Sequence, residues 1–172
     1  MKTLVSVLIW LVFSTLAFAQ SPEEVQKEAM KEFSWIVGEW EGIAWSQMGP
    51  NQRDTFLMHE IISYDLDQTI VDIEGIGKDP SGEVVHHARA VLSFNAQSGK
   101  YQWHSWRIPG GLYNEHEPNL TSDGFIWEME NPRGKMRYTT THTEDDGWFE
   151  IGEFSPDGSN WFKFFEMNLT RK

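Results

Sequence analysis

Phe33-Ser34-Trp35-Ile36-Val37-Gly38-Glu39-Trp40-Glu41-Gly42 is the stretch that decides the fold. A short amphipathic helix runs into a Gly-x-Trp step, and everything after Gly38 reads as strand and turn. Just upstream, Ser21-Pro22-Glu23-Glu24 is a helix start. Ser21 can cap, Pro22 suits the first helical position and Glu24 completes a capping box. Val25, Ala29, Phe33 and Ile36 then recur at helical spacing, and Gly38 stops the helix. The pattern predicts one N-terminal α-helix of about four turns with a single apolar stripe to bury.

Further upstream the chain reads as a leader. Met1-Lys2-Thr3 is basic, Leu4 to Phe18 is an apolar run of 15 residues, and Ala17-Phe18-Ala19 is a small-x-small cleavage site. The run is short for a membrane span and has the make-up of a secretory signal peptide. Residues 1–19 are therefore expected to be removed and residues 20–172 to form one barrel domain, secreted or periplasmic. No Cys follows the cleavage site, so a lipoprotein anchor is excluded.

Removing 19 of 172 residues leaves 153, enough for one domain with its own core. With no Cys to cross-link, stability must come from burial. Nine Trp supply much of it, and all except Trp10 lie beyond the leader. The formal net charge of −12 repels phosphate backbones and anionic lipid heads, which argues against a nucleic-acid partner. No later segment is long and apolar enough for a membrane span.

Turn signals recur at Asp79-Pro80-Ser81-Gly82, Gln97-Ser98-Gly99, Pro109-Gly110-Gly111, Asp123-Gly124, Pro132-Arg133-Gly134, Asp146-Gly147 and Pro156-Asp157-Gly158. Between them fall about ten strands: 39–47, 53–64, 69–76, 83–94, 100–108, 112–117, 124–130, 135–143, 148–155 and 160–170. No helical pattern intervenes, so parallel crossovers are ruled out. Closing the sheet removes its edges, and the expected fold is an all-β, up-and-down antiparallel barrel. A barrel of this size can enclose a small ligand as well as side chains.

Hairpin turns set register, and register sets the inner face. Centring a hairpin on Pro132-Arg133 pairs Met129 with Met136 and Trp127 with Tyr138, and on the other face Glu128 with Arg137. Centring the next on Asp145-Asp146 sets His142 against Phe149, Thr140 against Ile151 and Tyr138 against Glu153. Centring the last on Asp157-Gly158 brings Phe162 near Glu153, Phe164 near Ile151 and Glu166 near Phe149. The hairpin at Gln97 sets His104 against Ala90 and Trp106 against Ala88. Together these put Trp106, Trp127, Tyr138, Phe149, Phe162 and Phe164 on the inner wall, with His104, His142, Glu153 and Glu166 as polar groups among them. The same registers leave Trp148, Phe154, Trp161, Phe165 and Met167 outside near Lys163, an apolar area suited to the helix or a homodimer contact.

At Gly38-Glu39-Trp40 the chain resembles the lipocalin-like (calycin) barrels, and more narrowly a group of secreted bacterial lipocalin-like domains of unknown function. The residues that carry the resemblance are the helix entering Val37-Gly38-Glu39-Trp40-Glu41-Gly42 and the ending Ser155-Pro156-Asp157-Gly158 … Trp161 … Phe165-Glu166-Met167. The resemblance implies that Trp40 plugs the barrel base, that Arg171 of the last strand lies over it, and that a pocket exists whose ligand is unnamed.

Candidate chemistry is sparse. His86 and His87 are adjacent in a strand, so they point to opposite faces and cannot chelate one ion together, and no metal is expected. His142 with Glu166 permits acid–base work, but no nucleophile elbow, phosphate loop or zinc signature accompanies them. Haem held by His104 or His142 is an alternative with no specific signal; otherwise no cofactor is expected. The reading that results is a barrel binding a small hydrophobic or amphipathic ligand. Its alternatives are an enzyme using His142 and Glu166 in the same pocket, and a non-catalytic interaction domain with a filled barrel.

Overall fold

The structure, a computed structural model, describes residues 20–172 apart from Pro50, Asn51 and Pro109. The leader expected over residues 1–19 lies outside the described residues. Helix α1 (Pro22–Met30) begins with the expected capping box: Ser21 Oγ accepts the Glu24 N–H at 3.2 Å, and Glu24 Oε2 accepts the Ser21 N–H at 2.7 Å. The expected four-turn helix is shorter as an α-helix, because Lys31–Ile36 tightens into 3₁₀ geometry. That tightening changes which residues share a face. Met30, Phe33 and Ile36, three apart as a 3₁₀ turn demands, are all completely buried.

Eleven strands follow: β1 (Gly38–Gly49), β2 (Gln52–Asp65), β3 (Ile70–Lys78), β4 (Val84–Asn95), β5 (Lys100–Ile108), β6 (Leu112–His116), β7 (Asn119–Leu120), β8 (Gly124–Asn131), β9 (Gly134–His142), β10 (Gly147–Ser155) and β11 (Phe162–Arg171). Ten lie within two residues of the expected ranges, and the two-residue β7 is additional. They form one antiparallel, curled sheet in the order β6-β5-β4-β3-β2-β1-β11-β10-β9-β8-β7. First and last strands pair, so every connection is a simple meander and the fold is an all-β barrel. The two ends of the sheet meet through rings: His116 of β6 and Trp103 of β5 pack on Trp127 of β8, with centroids 4.8 and 5.8 Å away.

The helical segment seals one end. Phe33 packs between Tyr101 and Phe125, at 5.0 and 5.2 Å. At the end of α1, two inward tyrosines add side-chain donors to its last carbonyls. The Tyr101 hydroxyl donates to the Ala29 carbonyl at 3.0 Å, and the Tyr64 hydroxyl to Met30 at 3.2 Å. Trp40 lies beneath this cap, wholly buried, its indole N–H donating to the Ile36 carbonyl at 2.7 Å.

Three of the four expected registers are off by a residue or more. The β8–β9 hairpin is as expected, Met129 opposite Met136 and Trp127 opposite Tyr138, because Pro132-Arg133 is a two-residue loop. The next loop holds three residues, 144–146, with Asp146 in the left-handed region at φ 59. An odd loop inverts the face of the strand that follows it. Trp148, not Phe149, therefore opposes His142, and Glu150, not Ile151, opposes Thr140. At residues 96–99 the loop has four residues, with Gly99 at φ 70, and pairs Ala90 with Ser105 and Arg89 with Trp106. Between β10 and β11 a bulge at Gly152/Glu153 adds the remaining offset.

Candidate functional site

On β2 the alternation Phe56, Met58, Glu60, Ile62 turns four buried side chains to the interior, one of them a carboxylic acid. Glu60 is only 6% exposed, and among the described residues it has no hydrogen-bond or ion-pair partner. Its neighbour on β3 is Gly75, and a Cβ there would lie 2.5 and 2.7 Å from the two carboxyl oxygens. The carboxyl group thus rests on bare backbone, a place that any larger residue would take from it. Burial pushes its pKa up to about 8, and the charge of Glu150 adds to the rise.

Glu150 reaches the same interior from β10. It is 9% exposed and accepts a 2.6 Å hydrogen bond from the Thr140 hydroxyl. The Trp148 indole N–H lies close enough to favour its charged form, without reaching hydrogen-bond geometry. Burial outweighs both donors and raises Glu150 to about 7. Two carboxyl groups therefore share a low-dielectric interior that favours their neutral forms near neutral pH.

Above them stands an aromatic wall. Tyr138 lies across Gly152, where a Cβ would come within 2.9 Å of its ring. Trp127 stacks on Tyr138 at 4.1 Å and 7°, while Phe164 and Phe165 meet it edge-on at 5.7 and 6.0 Å. Both phenylalanines reach the ring because the β11 bulge turns consecutive residues the same way. Burial and the Glu150 charge raise the Tyr138 pKa further above its ordinary value, so the phenol is neutral. His86 of β4 stacks on Phe56, and burial, with the charges of Arg107 and His87, pushes it down to about 4. His116 is lowered too, chiefly by burial.

The two ends of the barrel differ. At the capped end Phe33, Trp40, Leu92 and Phe125 are completely buried. Toward the other end Trp127, Met129, Met136, Tyr138, Phe164 and Phe165 face the interior yet remain partly exposed. Among the described residues, three inward ring nitrogens, His116 Nε2, Trp127 Nε1 and Trp148 Nε1, are buried without a hydrogen-bond partner. An unpaired buried polar atom costs about 1–3 kcal/mol.

The expected site residues divide accordingly. Trp127, Tyr138 and Phe164 converge on the interior wall. His142 is inward by register but sits at the capped end, stacked on Trp35 at 4.8 Å and 2.9 Å from Asp146 Oδ1. It borders a shallow outer cleft of about 330 Å³, not the barrel interior. His104 and Trp106 are outside: the four-residue loop turns them out, His104 Nδ1 meets the Tyr113 hydroxyl at 2.9 Å, and Trp106 is 47% exposed. Phe149, Glu153 and Glu166 are also turned outward by the shifted registers of β10 and β11, whereas Phe162, opposite Phe154 and in the row of Met136, stays on the inner face. Glu153 pairs with Arg137 at 2.7 Å, Glu166 with Lys163 at 2.6 Å, and Phe162 is 60% exposed. His142 and Glu166 thus do not meet as an acid–base pair, and His104 lies on the outer face.

The outer aromatic face is corrected by the same shift. Trp148 and Met167 are buried inside, and Phe165 packs on Tyr138. Trp161 remains outside, under the Arg137 guanidinium at 4.2 Å. His86 and His87 do point apart, His87 outward to Glu74 at 2.9 Å. Glu60 and Glu150, the two interior acids, were missed. Glu60 had a signal, since it interrupts an apolar alternation at every second residue of β2.

No family model matches the sequence, and a comparison with curated proteins finds no relative. Among solved structures the chain is similar to the crystal structure of Rv2717c from M. tuberculosis, with a TM-score of 0.62 and 12% identity over 84% of this chain and 97% of that one. At that identity the likeness is one of β-barrel fold.

Proposed function

We propose that this chain is an exported lipocalin-like barrel that binds a small hydrophobic or amphipathic ligand in its interior. The observation that carries the reading is the contrast between the ends of the barrel. One end is closely packed; toward the other, inward-facing aromatics keep partial exposure, and among the described residues the ring nitrogens His116 Nε2 and Trp127 Nε1 beside them lack partners. An apolar wall with a few convergent polar groups is the usual make-up of a small-molecule site. The Arg171 guanidinium, 4.1 Å from the Trp40 ring centroid at the capped end, and the helix that precedes Gly38 support the lipocalin-like assignment. The basic, apolar, small-residue leader over residues 1–19 supports export.

Titration with N-phenyl-1-naphthylamine, a neutral fluorophore, tests the reading. Ser105 lies on the inner row of β5, opposite buried Ala90. Saturable binding of one probe per chain is expected, weakened at least tenfold by Ser105→Trp and unchanged by Trp106→Ala on the outer face. Equal binding by wild type and Ser105→Trp, or no saturable binding at all, contradicts it.

A further inference from the structure

We infer that the ligand carries a protonated basic nitrogen, seated between Glu60 and Glu150 in the barrel interior, with its apolar body against Trp127 and Tyr138. The inference rests on the ligand-binding reading above and names the class of molecule that the site takes.

Three features point this way. First, Glu60 is buried, and among the described residues nothing donates a hydrogen bond to it or pairs with its charge. A buried acid that serves only the fold is normally hydrogen-bonded. Second, space is kept for it. Gly75 lies directly beneath its oxygens, and Gly77 next along β3 lies beneath Phe56, where a Cβ would come within 2.8 Å of that ring. Third, a second acid, Glu150, shares the interior and is oriented by a hydrogen bond from the Thr140 hydroxyl. Two acids near one another cannot both ionise cheaply in a low dielectric, and a single cation between them removes that cost.

The other charged and titratable groups of the interior do not compete for this position. Arg107 bears on Tyr138 and His86 toward the mouth, and His86 and His116 are held neutral by burial. Tyr138 is neutral and supplies a ring face. With Trp127 stacked on it, the aromatic pair presents a broad apolar face to the body of the ligand. The overall charge of −12 draws cations to the protein and repels anions. Seating an ammonium where the acids were neutral displaces a proton from the pair to solvent; no covalent bond changes.

Isothermal titration calorimetry with three probes of one shape tests the inference: n-octylamine, 1-octanol and n-octanoate, at pH 7 in two buffers of different ionisation enthalpy. Octylamine is expected to bind at least tenfold more tightly than the other two, with proton release revealed by the buffer dependence of the heat. Glu60→Gln should cost octylamine at least tenfold and leave octanol within threefold. Equal affinity for octylamine and octanol in wild type, or Glu60→Gln without effect on octylamine, overturns the cation inference while leaving an apolar pocket intact. Failure of all three probes to bind overturns both. The wild-type comparison stands whether or not the variant folds.

Discussion

The guanidinium of Arg171 lies 4.1 Å from the centroid of the Trp40 ring. The same group donates to the Val37 carbonyl at 2.7 Å, to the Trp35 carbonyl at 2.8 Å and to Asp146 at 3.1 Å. One residue of the last strand thus ties the helix exit, the first strand and the β9–β10 turn together. Gly38 makes room for it, since a Cβ there would lie 2.7 Å from Arg171 Nη1 and the backbone has φ 136. Replacing Arg171 by Ala removes the cation–π contact and leaves two carbonyls seeking water. The expected loss is about 1–3 kcal/mol, read by urea denaturation. Arg171→Lys should recover less than half of it, because an ammonium cannot reproduce the planar fork.

The register of β10 is tested by a pair of neighbours. Trp148 is 3% exposed and packs on Trp35 and Trp40 at 5.9 Å each, whereas Phe149 lies on the outer face. Trp148→Ala should cost about 3–5 kcal/mol. Phe149→Ala should cost less than half as much by the same denaturation assay. The opposite ranking would restore the register expected from an even loop.

Those two predictions mark what could be read from the sequence. The helix cap, the strand ranges and the β8–β9 register were legible because each depends on local chemistry: Ser21 with Glu24, alternation, and a two-residue turn. The faces of β10 and β11 were not. They hang on one residue, Asp146, adopting a left-handed conformation beside a glycine that could have taken it. A single such choice moved Phe149, Glu153 and Glu166 outside and brought Trp148 and Glu150 in. Arg171 over Trp40 was legible from the family resemblance, not from any spacing.

Stability should fall as pH rises above neutrality, and Glu60 should carry the slope. Its folded pKa, about 8, exceeds the ordinary 4.5, so the folded state binds the proton more tightly than the unfolded chain. Its favourable contribution is complete below pH 4.5 and is lost as pH climbs through 8. Glu150, raised to about 7, acts in the same direction. His86, lowered to about 4, acts the opposite way, but only between pH 4 and 6.5. Between pH 6.5 and 8.5 the acids alone remain, and a decline on the order of 1–2 kcal/mol is expected. Glu60→Gln should flatten that decline by at least half in urea denaturation at fixed pH steps; an unchanged slope removes Glu60 as its source.

Gly75→Ala probes the seat of the Glu60 carboxyl. The added methyl must move the Glu60 carboxyl or the β3 backbone, so a destabilisation of about 1–3 kcal/mol is expected. Pairing the change with Glu60→Ala, which vacates the same space, should recover most of that loss in a double-mutant cycle. Additive effects would show that the two residues do not compete.

The central claim is that the barrel is a container. Native mass spectrometry of the protein purified from its own host tests it most directly. The account predicts a mass excess of a few hundred daltons under native conditions, lost on denaturation and absent from Ser105→Trp prepared in parallel. A bare-chain mass for wild type, both as purified and after incubation with host extract, would contradict it.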